Sequence, residues 1–339
     1  MYLSYIHYFR AVAITLIVLG HAIYVGHWRI DNWGAKLVMN AVSNATVYFV
    51  FISGFLFHHI YAHKFGFGKF LTTRIKNVLS PYLALSALPL ALIILTGDRL
   101  PLVPERFYAT PWHTLIYFLL TGCTFQPFWY IPMAMLLYLL AVPILNLSRS
   151  VWFPMVIGAL LTLACVVHRP MFNLNPLHAF VYFLPVYLLG IWASIHKEWL
   201  LPWLEKHVLY LLAGGLLFSA LQTGFSPVVG NYHKYLFQTA PLDLNLPGKI
   251  CFIGVIMVGL RRLEHRNIPL LNAIADYSFP IYFLHSMVLD LIDRRSLWPF
   301  SDNFPQVLLL TVFLMGASVA LAALIKFLFG KTSRYIIGY

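Results

Sequence analysis

YFRAVAITLIVLGHAIYV, residues 8–25, is apolar and long enough to cross a hydrocarbon core of about 30 Å as a helix, yet it carries Arg10 and His21. On a helix these two residues, eleven apart, return to within about 20° of each other and lie about 16 Å apart along the axis. They share a face but cannot touch. Ionisable groups inside a membrane helix turn toward the bundle interior or an aqueous cavity, or, near a helix end, snorkel to the headgroups. For Arg10 both readings stand; for His21 the alternative to a site is an inter-helical hydrogen bond. Gly20 and Ala22 beside His21 allow close approach by another helix or a ligand.

The same character extends along the chain. Of 339 residues, 60% are hydrophobic and 10% charged, with a mean hydropathy of +0.78. Soluble domains carry roughly 25% charged residues, so this composition predicts an all-α integral membrane protein. Ten transmembrane segments are expected, at 7–26, 38–62, 78–96, 127–147, 151–167, 177–195, 207–223, 246–261, 272–292 and 306–329, joined by short loops in one transmembrane domain over 1–339. The stretch WHTLIYFLLTG, 112–122, is too short to cross and reads as interfacial or re-entrant. The first segment lacks a basic n-region and an A-x-A-like cleavage site, so it is expected to be retained.

With ten crossings, twelve Lys and Arg fall on the side that holds KFGFGKFLTTRIK (64–76) and eight on the other. The positive-inside rule then places both termini in the cytoplasm. The formal charge of +12 points to anionic membrane lipid as a partner. No long basic run suggests nucleic acid. Cys123, Cys165 and Cys251 show no C-x-x-C spacing, and His58 and His59 are adjacent, not four apart, so neither a disulfide framework nor a metal site is expected.

Two further groups of residues bear chemistry. In ADYSFPIYFLHSMVLD (275–290), Ser278, Tyr282 and His285 fall at i, i+4 and i+7, one stripe of a helix. Such a stripe is either mutually bonded packing or the wall of a site. In the connector HKFGFGKFLTTRIKNVLSPY (63–82), Lys69, Arg74 and Lys76 either bind anionic lipid or grip the phosphates of a ligand, Arg74 by bidentate contacts. Trp129 and Tyr130, at the start of a segment, belong to an aromatic belt or stack on a sugar.

These residues resemble the membrane-bound acyltransferase-3 family, whose O-acyltransferases modify envelope carbohydrates. The resemblance rests on an R-x10-H signature at Arg10 and His21, then FVFISGFLF (49–57), TTRIKNVLSPY (72–82), FWYIPMAMLLYLLAVPIL (128–145) and YSFPIYFLH (277–285), in family order. Within the family the chain looks most like the acyltransferase-like proteins of poly-N-acetylglucosamine adhesin operons. It departs in one place: where many relatives carry a second Arg before the Pro-Tyr element, Lys76 is followed by Asn77.

The resemblance implies a multi-pass protein of the bacterial inner membrane that takes an acetyl, succinyl or other short acyl group from cytoplasmic acyl-CoA, with acetyl-CoA the expected donor. It passes the group to a hydroxyl of an extracytoplasmic polysaccharide or lipid-linked sugar, in exopolysaccharide biosynthesis. Polysaccharide-synthesis machinery is an expected partner, and no bound cofactor is needed. Arg10, Arg74, Lys76 and Lys69 would hold the donor phosphates. His21 would act as general base or acyl carrier, with Ser278, Tyr282 and His285 orienting it or stabilising the oxyanion. A polysaccharide exporter is the competing expectation, although no inverted repeat or matched pair of broken segments is evident. A scaffold that organises polymer synthesis is a third.

Overall fold

The computed structural model describes residues 3–298 and 303–338. The chain is helical almost throughout. In order the helices are α1 (Ser4–Val25), α2 (Trp33–Val42), α3 (Thr46–Tyr61), α4 (Phe67–Arg74), α5 (Ser80–Thr96), α6 (Pro111–Thr121), α7 (Tyr130–Leu139) and α8 (Ala141–Leu147). There follow α9 (Phe153–Val167), α10 (Pro176–Ile195), α11 (Lys197–Phe225), α12 (Asn245–Arg261), α13 (Pro269–Asp276), α14 (Ser278–Arg294), α15 (Phe304–Phe329) and α16 (Ser333–Ile337). A π-turn, Ile75–Leu79, joins α4 to α5, and two short parallel strands, β1 (Arg169–Pro170) and β2 (His233–Lys234), tie two connectors together.

All ten expected segments fall on helices, but fewer meet the length and apolarity needed to cross. Six stretches do so: Ser4–Val25, Trp33–Tyr61, Phe67–Thr96, Pro176–Ile195, Lys197–Phe225 and Phe304–Ile337. The pair Gln126–Leu139 and Ala141–Leu147, bent by 61°, makes a seventh if it is one span. The rest, α9, α12 and α14, have 15, 17 and 17 residues and fall short of about 20. Local signals set the helix ends. Asn32, Thr110, Asn175 and Asn303 each accept a backbone N–H at the start of a helix, and the last three are followed by Pro within the first turn.

α1 lies at the centre, packed by α3, α12, α13, α14 and α15. It runs antiparallel to α3, since Tyr5 meets Phe55 while Phe9 meets Phe51 and Tyr48. It runs parallel to α14, since Arg10 reaches Ser278 and His21 lies beside His285. The C-terminal α16 folds onto the π-turn, where Arg334 Nε donates to Asn77 Oδ1 at 2.7 Å, so α16 and the start of α1 occupy the same end of the bundle. Asn77, the point of departure from the family pattern, therefore has a structural partner.

Two packing features hold the interior. Where α3 crosses α10, a Cβ on Gly54 would sit 2.0 Å from the Tyr187 carbonyl oxygen and one on Gly190 would sit 2.1 Å from that of Phe51. The backbones touch as small residues permit in membrane bundles. The second feature is a break between α2 and α3 at residues 43–45, with Asn44 at φ 62°, a left-handed conformation that Asn tolerates. Irregular backbone is tolerated at membrane depth only where its polar groups are met or line a cavity. Here buried Lys249 from α12 donates through Nζ to the Asn40 carbonyl at 3.0 Å and to that of Ala41, at the C-terminal end of α2, where the helix dipole favours a cation.

Gly190→Val is expected to abolish recovery of folded protein from membranes, whereas Gly158→Val, at an exposed position with open space, leaves it intact. Size-exclusion profiles in detergent compare the two. Lys249→Met orphans two carbonyls, at about 1–3 kcal/mol each, and is expected to lower the thermal midpoint in detergent by several degrees.

Candidate active site

His21 occupies the last turn of α1, and its surroundings fix its tautomer. Nδ1 lies 3.2 Å from Gln126 Oε1, an oxygen that can only accept, so the bond puts the proton on Nδ1 and leaves the Nε2 lone pair free. Gln126 opens a 3₁₀ turn, Gln126–Trp129, which leads into α7. On the other side stands His285 of α14, its ring centre 5.4 Å from that of His21. Its Nδ1 donates to the Ile281 carbonyl at 2.7 Å, and its Nε2 is buried with no hydrogen-bond partner. Two imidazoles thus stand together, each with an available acceptor nitrogen.

Two cavities meet at His21. The inner chamber, about 100 Å³, is walled by Ile17, Gly20, Phe49, Trp129, Tyr130 and Tyr282 and by the broken backbone from Ser43 to Thr46. It also receives Asn44, Arg169, Asn231 and His233. The outer vestibule, about 510 Å³, is bounded by Tyr24, Phe125, Phe172, Ser286, Asp290 and Asp293. Gln126, Trp129, Asn173 and His233 line both spaces, as His21 does. Gly20 is open to the chamber, with nothing within 4 Å of where its Cβ would be.

Arg169, 4% exposed, enters the chamber from β1. Its guanidinium lies 5.0 Å from the ring centre of Trp129 and 5.6 Å from that of Phe183, and its Nε and Nη1 donate to Asn173 Oδ1 at 3.3 Å and Asn44 Oδ1 at 3.5 Å. Asn44 Nδ2 donates to the Tyr182 hydroxyl at 2.6 Å, which donates to Asp243 Oδ2 at 2.7 Å. The nearest counter-charge on this path is two neutral groups away. His233 Nδ1 donates to the Pro170 carbonyl at 2.8 Å, and burial pushes its pKa down to about 4, so it is neutral.

The sequence-selected residues divide between two levels. Arg10 Nη2 donates to Ser278 Oγ at 2.7 Å, so Ser278 belongs with Arg10 and does not reach His21 as expected. Arg10 lines neither cavity; Ile14 and Ile17, on the same stripe of α1, fill the space between Arg10 and His21. Of the α14 stripe, only His285 stands beside the His21 ring; the Tyr282 hydroxyl donates to the Pro127 carbonyl, in the turn that positions Gln126. Trp129 and Tyr130 are 5% and 7% exposed, and Trp129 stacks on Phe183 with centroids 5.5 Å apart, so both rings are chamber walls, Trp129 bordering the vestibule as well. The helix turn rotates each side chain by about 100°, and packing of the 3₁₀ turn spends their faces.

At the Arg10 end, Arg74 lies 5.1–5.5 Å from the ring centres of Tyr61, Phe70 and Tyr138 in a cation–π box, and its buried Nε has no hydrogen-bond partner. Lys69 and Lys76 are exposed at the same end. Four site residues, Gln126, Asn44, Arg169 and His233, escaped sequence reading. A polar residue at the edge of the apolar run beginning at Pro127 was the available signal for Gln126; Arg169 sits in VVHRP and looked like an ordinary loop charge. Among the described residues no group of three or more His, Cys, Asp or Glu could hold a metal.

Comparison with curated proteins and with solved structures gives no match. A family profile described as an acyltransferase domain, that of the acyltransferase-3 family, matches residues 3–326, which span every helix except the end of α15 and the α16 tail. With a histidine of fixed tautomer at the meeting point of two cavities and a profile match over nearly its full length, the chain belongs to the acyltransferase-3 family and is a multi-pass membrane acyltransferase.

Proposed function

We propose that the protein transfers a short acyl group, acetyl in the first instance, from acyl-CoA on one side of a bacterial cytoplasmic membrane to a hydroxyl of an envelope polysaccharide or lipid-linked sugar on the other. The observation that carries this reading is His21. It holds a proton on Nδ1 against Gln126, offers Nε2 as a base, and stands where a small inner chamber meets a vestibule large enough for a sugar unit.

In this reading the start of α1 faces the cytoplasm. Arg10 and Arg74, with Lys69 and Lys76, hold the donor phosphates, and the thin pantetheine arm follows α1 for about 16 Å to His21. Ile17 is the side chain the arm displaces on entering the chamber. The acyl group lies in the chamber, and the acceptor hydroxyl enters from the vestibule, whose carboxylates and aromatic rings suit a polyol. His21 Nε2 takes the hydroxyl proton as the oxygen attacks the thioester carbon. The His285 Nε2 lone pair, the buried acceptor beside it, steadies the imidazolium that results.

His21→Gln, inserted normally in the membrane, is expected to lower transfer of labelled acetyl from acetyl-CoA to surface glycan by about 10²–10⁴-fold. Undiminished transfer removes His21 as the base. Arg10→Lys is expected to raise the KM for acetyl-CoA about tenfold, with kcat little changed, because a lysine cannot reproduce bidentate phosphate contacts. An unchanged KM would reduce Arg10 to a structural link to Ser278. Mass spectrometry of the glycan from cells with and without the protein identifies the acyl group.

A further inference from the structure

The inner chamber is polar and electropositive in a way that base catalysis at His21 does not use. Its lining contains no Asp or Glu, and its one permanently charged residue is Arg169. Burying a guanidinium without a directly bound carboxylate is costly unless an anion completes its coordination. Arg169 spends Nε on Asn173 and Nη1 on Asn44, and no hydrogen bond engages Nη2 among the described residues. Its partners are neutral amides, and the Trp129 and Phe183 rings hold it in place.

A second positive element opens into the same space. α3 begins at the break, with residues 43–46 on the chamber wall. Val47 and Tyr48 N–H groups bond back to the Asn44 and Ala45 carbonyls, both at 3.0 Å, whereas the N–H groups of Ala45 and Thr46 have no acceptor among the described residues. The positive end of the α3 dipole and the Arg169 cation therefore converge on the same chamber of about 100 Å³.

We propose that Arg169, aided by the free N–H groups at the start of α3, is the anion pocket that takes the oxyanion formed on the acyl carbonyl during transfer. The inference rests on the donor and base assigned above. The acceptor oxygen forms a bond to the acyl carbon, the carbonyl π pair moves onto its oxygen, and the hydroxyl proton passes to His21 Nε2. The tetrahedral oxyanion faces Arg169. The carbonyl then re-forms, the carbon–sulfur bond breaks, and the departing thiolate takes the proton from His21. Charge that exists only at this stage is what a preorganised, water-poor cation stabilises, so Arg169 acts on kcat. In the resting chamber the neutral His233 beside it does not compete for the anion.

The test uses the full chain in lipid nanodiscs, with acetyl-CoA as donor and host surface glycan as acceptor. Arg169→Gln is expected to lower kcat by about 10²–10³-fold while the KM for acetyl-CoA stays within about twofold, and Arg169→Lys to regain part of the loss. A CoA analogue carrying an anionic tetrahedral phosphonate in place of the acyl carbonyl is expected to bind the wild type at least about 10²-fold tighter than acetyl-CoA. Arg169→Gln should lose that excess. An unmoved kcat, a raised KM with kcat intact, or an analogue no tighter than acetyl-CoA each overturns the proposal; the second would make Arg169 a ground-state binder of an anionic substrate group. If Arg169→Gln does not fold, the wild-type analogue affinity decides. Absence of any acetyl transfer by the wild type overturns the donor reading and this inference together, whereas transfer with unmoved Arg169→Gln kinetics overturns this inference alone.

Discussion

The hydrogen bonds from Lys249 to the carbonyls of Asn40 and Ala41 make a broken helix possible inside the bundle. A helix that stops in a medium without water leaves carbonyls with nowhere to go, and an unmet polar group there costs several kcal/mol. An ammonium from α12 meets two of them, so the chain can turn at Asn44 and begin α3 afresh. The site is built from that turn. Asn44 reaches Arg169 on one side and Tyr182 on the other, and Tyr182 passes the link on to Asp243. Asp243 Oδ1 in turn accepts the first N–H groups of α12, the helix that carries Lys249. The polar path therefore returns to its origin, and each member is held by the next.

Around this loop the two halves of the molecule do different physical work. Where α3 meets α10, glycines bring the backbones into contact and leave no space at all. One helix away, at Gly20, the same absence of a side chain opens space, since nothing from a neighbour fills it. A rigid crossing beside an open chamber is what a preorganised site needs, because charges held by packing do not have to reorganise when charge develops between them. The parallel course of α1 and α14 then repeats the arrangement at two depths: a cation with a hydroxyl at Arg10 and Ser278, and two imidazoles at His21 and His285. Between these two levels the buried Ile14 and Ile17 occupy the shared stripe of α1.

Much of the architecture was legible in the chain. Long apolar runs permit only helices in a membrane, so every expected segment is helical. The eleven-residue spacing put Arg10 and His21 on one face, and the motif order named the family that the profile match over residues 3–326 bears out. Depth was less legible. α9, α12 and α14 have apolar composition but 15–17 residues, and periodicity does not report whether such a helix crosses or is held within the bundle. The stripe of Ser278, Tyr282 and His285 was also visible, yet its members serve three different neighbours: Ser278 and His285 meet Arg10 and His21 at two levels of α1, while Tyr282 turns to the Pro127 carbonyl in the 3₁₀ turn.

The sequence by itself determined the helical membrane architecture, the family and the shared face of Arg10 and His21, since these follow from composition and from distances of a few turns, which a helix fixes. Only the tertiary structure decided that Gln126 sets the His21 tautomer, that Trp129 is a chamber wall, and that Arg169 is a buried cation in the cavity beside His21. The contacts of Gln126 with His21 and of Arg169 with Asn44 join residues 105 and 125 positions apart, and no local rule of spacing or propensity reaches that far. They exist because packing brings a 3₁₀ turn, a broken helix and a connector strand to the end of one central helix.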